Sequence, residues 1–369
     1  MSQQYVGLMS GTSMDGIDAV LLAIEEKGCH IVATHSHAFD DDIASGLREL
    51  AVSSGDARLD QFGQLDVATG HAFAAAVHAL LDSCNCPHGE VRAIGSHGQT
   101  VLHNPGGRHP YTLQIGDPNI IAAETGIQTV ADFRRRDLAL GGQGAPLAPA
   151  FHRSVFRSND EYRVVLNVGG IANITLMQPG TVVSGFDTGP GNTLMDGWIR
   201  RHLDRPFDRD GAWASTAPVD QSLLEKMLAH DFFRAPAPKS TGIEEFNLAW
   251  LDSILDAGPD EPEPASVQST LCELTTRTIV DAIHDASIDP GRLLVCGGGA
   301  RNTELMRRLA AGLQNWTVGP TDDLGIGSEW VEAAAFAWLA HRTLEGLPGN
   351  LPEVTGARRE TVLGAIFPC

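Results

Sequence analysis

Gly7-Leu8-Met9-Ser10-Gly11-Thr12-Ser13-Met14-Asp15-Gly16-Ile17-Asp18-Ala19-Val20-Leu21-Leu22 reads as an apolar strand, a turn of small and acidic residues, and a returning strand. The turn offers bare backbone amides and short hydroxyls from Gly11, Thr12, Ser13 and Gly16, a concavity suited to anionic oxygens. Asp15 and Asp18 beside it would repel a phosphate unless a divalent cation sat between them. On its own the segment is either a nucleotide-phosphate device or an ordinary hairpin turn.

A second hairpin of the same form lies further on: 163–168, then Gly169-Gly170, then 171–177. Two halves that each begin this way imply a duplicated α/β architecture with a cleft between the halves. Between the hairpins the pattern predicts a helix over 70–83 and a strand over 91–96. The turn His97-Gly98-Gln99-Thr100 follows, then strands over 112–115 and 129–132, the last opening into Phe133-Arg134-Arg135-Arg136-Asp137. The glycine-rich 140–147 reads as a linker or lid, 259–264 as a solvated loop, and 267–286 and 329–345 as amphipathic helices. The expected domains are 1–130, joined by 345–369, and 131–344.

The chain has 369 residues, enough for two domains with sizeable cores. Its net charge of −20, with only Lys27, Lys226 and Lys239 as lysines, argues against nucleic acid and anionic membranes as partners. No stretch resembles a signal peptide or reaches the ~20 apolar residues of a membrane span, so a cytoplasmic protein is expected. The six cysteines are scattered, and Cys84 and Cys86 lack zinc spacing.

Two further segments bear chemistry. In Phe186-Asp187-Thr188-Gly189-Pro190-Gly191-Asn192 a strand is expected to end at Asp187, where α/β sheets place ligands, and a helix over 193–203 would point its N-terminus at an anion. Asp187 either serves there as the carboxylate that a phosphotransferase needs, or caps the turn. In Val295-Cys296-Gly297-Gly298-Gly299-Ala300-Arg301-Asn302 the glycines let a flat ring approach the backbone, while Asn302 either caps a helix or holds a base or ribose. There is no Walker A string, no Gly-x-Gly-x-x-Gly after a strand, no kinase-type His-Arg-Asp and no Gly-x-Ser-x-Gly elbow.

The order and spacing of these loops resemble the sugar kinase, heat-shock chaperone and actin superfamily. Over nearly its full length the chain resembles the anhydro-N-acetylmuramic acid kinase family. The resemblance rests on Met9-Ser10-Gly11-Thr12-Ser13-Met14-Asp15-Gly16, Gly95-Ser96-His97-Gly98-Gln99-Thr100 and Asp132-Phe133-Arg134-Arg135-Arg136-Asp137. Further support comes from the Asp187 string, Pro238-Lys239-Ser240-Thr241-Gly242 and Cys296-Gly297-Gly298-Gly299. The resemblance implies an actin-like ATPase fold, that is, a duplicated ribonuclease H-like α/β fold with an interdomain cleft. It also implies an ATP- and Mg²⁺-dependent enzyme of cell-wall recycling acting on 1,6-anhydro-N-acetylmuramic acid, and a homodimer.

By the same resemblance Gly11, Thr12, Ser13, Met14, Asp15, Gly16, Ile17 and Asp18 would wrap the ATP phosphates. Asn167, Gly169, Gly170, Gly189, Gly191 and Asn192 would form the second phosphate loop, and Gly297, Gly298, Gly299 and Asn302 would border the adenosine. Asp187 would be the general base, with His97, Gln99, Asp132 and Arg135 on the sugar side. Residue-level alternatives remain at several positions. His97 could be a structural turn histidine, and the arginines of 134–136 could pair with Asp132 and Asp137. Mg²⁺ would come with the ATP phosphates, with Asp15 and Asp208 as candidate ligands, although Asp208 and Asp210 could equally shape a turn. Glu332 either suits the dipole of its helix or holds the reacting water as a second carboxylate. The rivals are a sugar or acetate kinase that needs no water and a nucleotide-gated regulatory protein.

Overall fold

The opening stretch folds as read, with β1 (Gln3–Met9) and β2 (Gly16–Glu25) antiparallel and Met9 opposite Asp18. A third strand absent from the sequence reading, β3 (Gly28–Ala38), extends the meander. The structure is a computed structural model describing residues 2–11, 13–26, 28–52, 59–256, 262–286 and 288–369. Thr12 and part of the expected loop 259–264 lie outside the described residues.

The chain continues through α1 (Asp41–Val52), α2 (Leu59–Ser83), β4 (Val91–Ser96), β5 (Gln99–Asn104) and β6 (Tyr111–Ile115). Next come α3 (Pro118–Thr125), β7 (Thr129–Ala131), α4 (Arg135–Ala139) and α5 (Ala148–Phe156). Then follow β8 (Arg163–Val168), β9 (Ile171–Met177), β10 (Ser184–Pro190) and α6 (Thr193–Leu203). Beyond these lie α7 (Gln221–Leu228), α8 (Asp231–Arg234), α9 (Leu248–Leu255), α10 (Pro264–Asp285), β11 (Arg292–Cys296), α11 (Thr303–Gly312) and β12 (Thr317–Pro320). The last elements are α12 (Val331–Leu344), α13 (Pro352–Thr355) and β13 (Ala365–Phe367).

One sheet has the order β13-β7-β4-β1-β2-β3 and another β10-β9-β8-β11-β12. In each, a three-stranded antiparallel meander carries two parallel strands beside its first strand. The expected duplication is thus present in strand order. The chain divides into Met1–Val155 with Trp330–Cys369, and Phe156–Glu329. These limits differ from 1–130 and 131–344. Strand β7 pairs with β4, and α12 packs on β1, so both belong with the first unit.

The 140–147 segment is no linker. Asp137, fully buried, accepts through Oδ1 from Asn350 Nδ2 and Thr355 Oγ1, each at 2.8 Å, and through Oδ2 from Gly144 N at 2.8 Å. The Gln143 amide also donates to Thr355 O. The glycine-rich loop is therefore bolted to the 350–355 segment.

In the first unit Val6 and Leu8 pack with Phe73 and Val77 of α2 on one face of β1. On the other face Gly7 and its register partner Gly95 form a bare floor for α12. A Cβ on Gly7 would strike the Ala333 carbonyl, and one on Gly95 the Phe336 carbonyl. Overpacking a rigid core usually costs about 1–3 kcal/mol. Gly95→Ala is therefore expected to lower the unfolding free energy measured in urea by that amount, and an unchanged free energy would show that α12 does not rest on this floor. The second unit has its own core, where Val164, Leu166 and Val168 of β8 meet Leu271 and Leu274 of α10 and Leu305 of α11.

Candidate active site

In the first unit the loop after β1 is held by Ser10. Its Oγ lies 2.7 Å from both Gly16 O and Gln99 Oε1, so its single proton serves one of them at a time. Met14 sits at φ +51°, an unusual conformation for a side-chain-bearing residue, and its amide donates to Gly11 O. Gly11 has open space where a Cβ would stand, while Gly16 is pressed against His37 O. Ser13 Oγ donates to Asp15 Oδ1 at 2.6 Å, and Ser36 Oγ to Asp18 Oδ1 at 2.9 Å. Ile17 is buried in the core and offers the loop only backbone.

The sugar-side expectations fare differently from one another. Gln99 opens β5 rather than lying in a turn, is buried, and donates Nε2–H to Thr100 O while its Oε1 meets Ser10. It braces the loop through both ends of its amide. His97, Asp132 and Arg135 line one cavity of about 280 Å³ together with Ser96, Gln114 and Asp66. Ser96 Oγ is buried there with no hydrogen-bond partner among the described residues. Asp132 stands at φ +58°, and Arg135 Nε lies 3.4 Å from its Oδ1. Burial raises the Asp132 carboxyl, while Arg135 pulls it back down.

Of the arginines in 134–136, the one the sequence reading passed over is turned inward. Arg134 donates Nε–H and Nη2–H to His97 Nε2 at 3.1 and 2.8 Å, and Nη1–H to Gly144 O at 2.8 Å. His97 is therefore neutral with its proton on Nδ1. Burial and then the Arg134 charge push its pKa well below the ordinary value. The same burial brings Arg134 down to about 10, opposed by Glu332. Glu332 lies in the first turn of α12 with its side chain exposed. Crowding by surrounding protein raises its carboxyl nonetheless, Arg134 lowers it, and Asp18 adds to the rise. The partnership of His97 with Arg134 has no local sequence signal, since the two lie 37 positions apart.

In the second unit Asp187 is inside β10, opposite Asn173, and not at the strand's end. A register shift between Asp187 and Gly189 lets the edge strand run on to Pro190. Asp187 Oδ2 accepts from Ser240 Oγ at 2.9 Å and Thr241 N at 3.0 Å, while Lys239 O receives the Asp187 amide. Oδ1 makes no hydrogen bond among the described residues. Burial raises the carboxyl, and the Thr241 and Ser240 bonds oppose that rise. The arrangement fits a base: one oxygen is fixed and the other is left to receive a proton.

The loop after Asp187 folds onto the second hairpin. Gly191 N and Thr193 N donate to Gly170 O, and Asn192 N to Gly169 O. A Cβ on Gly191 would strike Gly169 O, and one on Gly189 the Phe233 ring. Asn192 Nδ2 donates to Val168 O. Gly297, at φ +78°, lies over Asn167, whose Oδ1 a Cβ there would strike, and Gly299 is pressed on Val168.

Gly298, Asn302 and Asn192 line a cavity of about 490 Å³ with Met195, Asp196, Phe207, Asp208 and Arg301. That size suits a nucleoside. Asn302 Oδ1 accepts from Leu305 N at 3.0 Å, so it caps α11 from the cavity wall. Of the two readings of Asp208, Mg²⁺ ligand or turn former, its hydrogen bonds are those of a turn former. Both its oxygens are taken, Oδ1 by Trp213 N and Oδ2 by Ala214 N, each at 2.9 Å. Burial raises Asp196 to about 7, with Arg200 opposing and Asp208 assisting.

The family model described as "AnmK: Anhydro-N-acetylmuramic acid kinase" matches residues 3–369. An anhydro-N-acetylmuramic acid kinase of Shewanella amazonensis is 53% identical over 371 residues, covering 100% of both chains. Its counterpart in Shewanella pealeana is 51% identical over 366 residues, covering 99% of this chain and 98% of the relative. The Coxiella burnetii protein of that name is 48% identical over 368 residues, covering 99% and 97%.

Proposed function

The chain belongs to the anhydro-N-acetylmuramic acid kinase family, and from that premise we propose how its residues divide the work of opening and phosphorylating an anhydrosugar. The enzyme is a kinase. Its reaction takes 1,6-anhydro-N-acetylmuramic acid, ATP and water to N-acetylmuramic acid 6-phosphate and ADP, a step of cell-wall recycling and amino-sugar catabolism. Asp187 accepts a proton from water, whose oxygen bonds to the anomeric carbon. The bond from that carbon to the bridge oxygen breaks, and the freed O6 attacks the γ-phosphorus as ADP leaves. Glu332 serves as a second carboxylate for the water. The observation that carries this reading is the Asp187 carboxyl, with Oδ2 anchored, Oδ1 without a partner and proton affinity raised by burial.

The Ser10–Asp18 loop takes the ATP phosphates in the first unit, and Gly189, Gly191 and Asn192 do so in the second. The cavity beside Gly298 takes the nucleoside. His97, Asp132 and Arg135 face the sugar, with Arg134 as an inward cation beside them, while Gln99 acts by bracing Ser10. Among the described residues no three His, Cys, Asp or Glu side chains are grouped to hold a metal. That fits Mg²⁺ carried by ATP oxygens and water with at most one or two protein carboxylates, Asp15 being the candidate. Bound there, the ion would neutralise charge on the phosphoryl groups.

No helix among the described residues is long and apolar enough to cross a membrane, and the six cysteines are free thiols. Both support the cytoplasmic placement. A homodimer is the expected assembly, and sedimentation at micromolar concentration checks it. The decisive test of the reaction is the mass of the product from ATP and the anhydrosugar. Gain of one phosphoryl group and one water is expected. Gain of the phosphoryl group alone would mean an ordinary sugar kinase, and an unchanged sugar with ADP released would mean an ATPase.

A further inference from the structure

We propose that Asp196 is the residue that selects adenine, by accepting an N–H from the amino group at the purine's 6-position; this rests on the 490 Å³ cavity being the nucleoside pocket. Apart from the exposed Arg209 and Asp210, most polar side chains of that cavity make at least one hydrogen bond or ion pair. Asp208 is held by the Trp213 and Ala214 amides, Asn302 by the Leu305 amide, Asn192 by Val168 O, and Arg301 pairs with Glu329. Asp196 differs from them. It lines the cavity from the first turn of α6 and is half-buried, and while its amide donates to Asn192 O, its carboxyl makes no hydrogen bond or ion pair among the described residues.

A half-buried acceptor without a donor is costly when empty and strongly selective when filled. Its neighbours describe the shape of what fills it. Met195, buried, and Phe207, half exposed at the rim, give the cavity apolar surface suited to a flat ring. Gly298, with only Asn192 Nδ2 near the place of a Cβ, lets that ring approach the backbone. Adenine presents two N–H donors at position 6. Guanine and hypoxanthine present a carbonyl oxygen there, which the carboxylate repels once it is ionised, so the discrimination is read at pH 8 or above, beyond its pKa of about 7. Asp196 therefore works by attraction toward ATP and repulsion of 6-oxo purines together.

The test is calorimetric binding of ATP, ITP and 2′-deoxy-ATP to the full-length enzyme, for the unaltered chain, Asp196→Asn and Gly298→Val. The unaltered chain is expected to hold ATP at least about tenfold tighter than ITP. Asp196→Asn, which brings an amide donor, should shrink that ratio by about tenfold or more and leave the ATP to 2′-deoxy-ATP ratio unchanged. An unaltered ATP to ITP ratio in Asp196→Asn would overturn the proposal. So would collapse of the ATP to 2′-deoxy-ATP ratio instead, since Asp196 would then read the ribose. Gly298→Val should weaken all three nucleotides. Were it to leave all three unaffected, the cavity would not be the nucleoside pocket and the underlying assignment would fall with the proposal.

Discussion

Asp187→Asn is expected to lower kcat by at least about 10²-fold while ATP binding stays within a few-fold of the unaltered enzyme. The substitution keeps size and shape. An asparagine Oδ1 in place of Oδ2 can still accept from Ser240 Oγ and Thr241 N, so the anchor survives. What disappears is the basic oxygen that takes the proton of water. The pH dependence follows from the same carboxyl. A general base must be ionised, and burial places the Asp187 pKa above the ordinary carboxylate value. Activity should therefore fall on the acidic side at a higher pH than an unperturbed aspartate would give, and that limb should vanish in Asp187→Asn. Steady-state rates across pH, with calorimetric ATP binding as the control, check both points. Near-normal turnover in the variant would remove Asp187 from the role.

The largest stability effect is expected at Asp137. Asp137→Ala strips a buried acceptor from three donors at once: Gly144 N, Asn350 Nδ2 and Thr355 Oγ1. Each donor is left in a dry interior, and the combined cost should be about 3–5 kcal/mol. Asp137→Asn should cost less, because one oxygen remains and the Thr355 hydroxyl can turn to accept. Urea unfolding of the two variants beside the unaltered chain measures this. A loss below about 1 kcal/mol for Asp137→Ala would show that the loop is held by something else. Activity should suffer as well, since Gly144 O is the carbonyl that receives Arg134 Nη1.

Local signals were the legible ones. The hairpin 163–177 turns at Gly169-Gly170, the strand Val91–Ser96 is a short, mostly apolar run, and the helix Thr193–Leu203 follows Gly-Pro-Gly-Asn; the structure has all three at the residues read from sequence. β3 was missed because it is a half-exposed edge strand with three histidines and an apolar run only three residues long, 31–33. Gln99 was read as a turn residue because Gly98 precedes it, yet pairing with Ile115 draws it into a strand. The inward turn of Arg134 and the turn-forming role of Asp208 stood among alternatives that the sequence left open. Composition shows a charge but not which way it points: Arg134 finds His97, 37 positions away, while Asp208 accepts from the nearby Trp213 and Ala214 amides and only its Gln268 contact is distant. Asp187 was singled out as the candidate base from its place beside a glycine-rich turn. Its brace at Ser240 and Thr241 is a contact across 53 and 54 positions that no local pattern encodes.

The division into Phe156–Glu329 and the two flanking stretches has a temporal meaning. On a ribosome, 156–329 emerges as one continuous piece, and every strand of its five-stranded sheet is already present when Pro320 appears. That piece can close its core while translation continues. The earlier piece cannot. Its glycine floor at Gly7 and Gly95 stays bare, and Asp137 stays unsatisfied, until α12, Asn350 and Thr355 have been made. About half of the enzyme thus waits through the synthesis of the other half with its sheet uncovered.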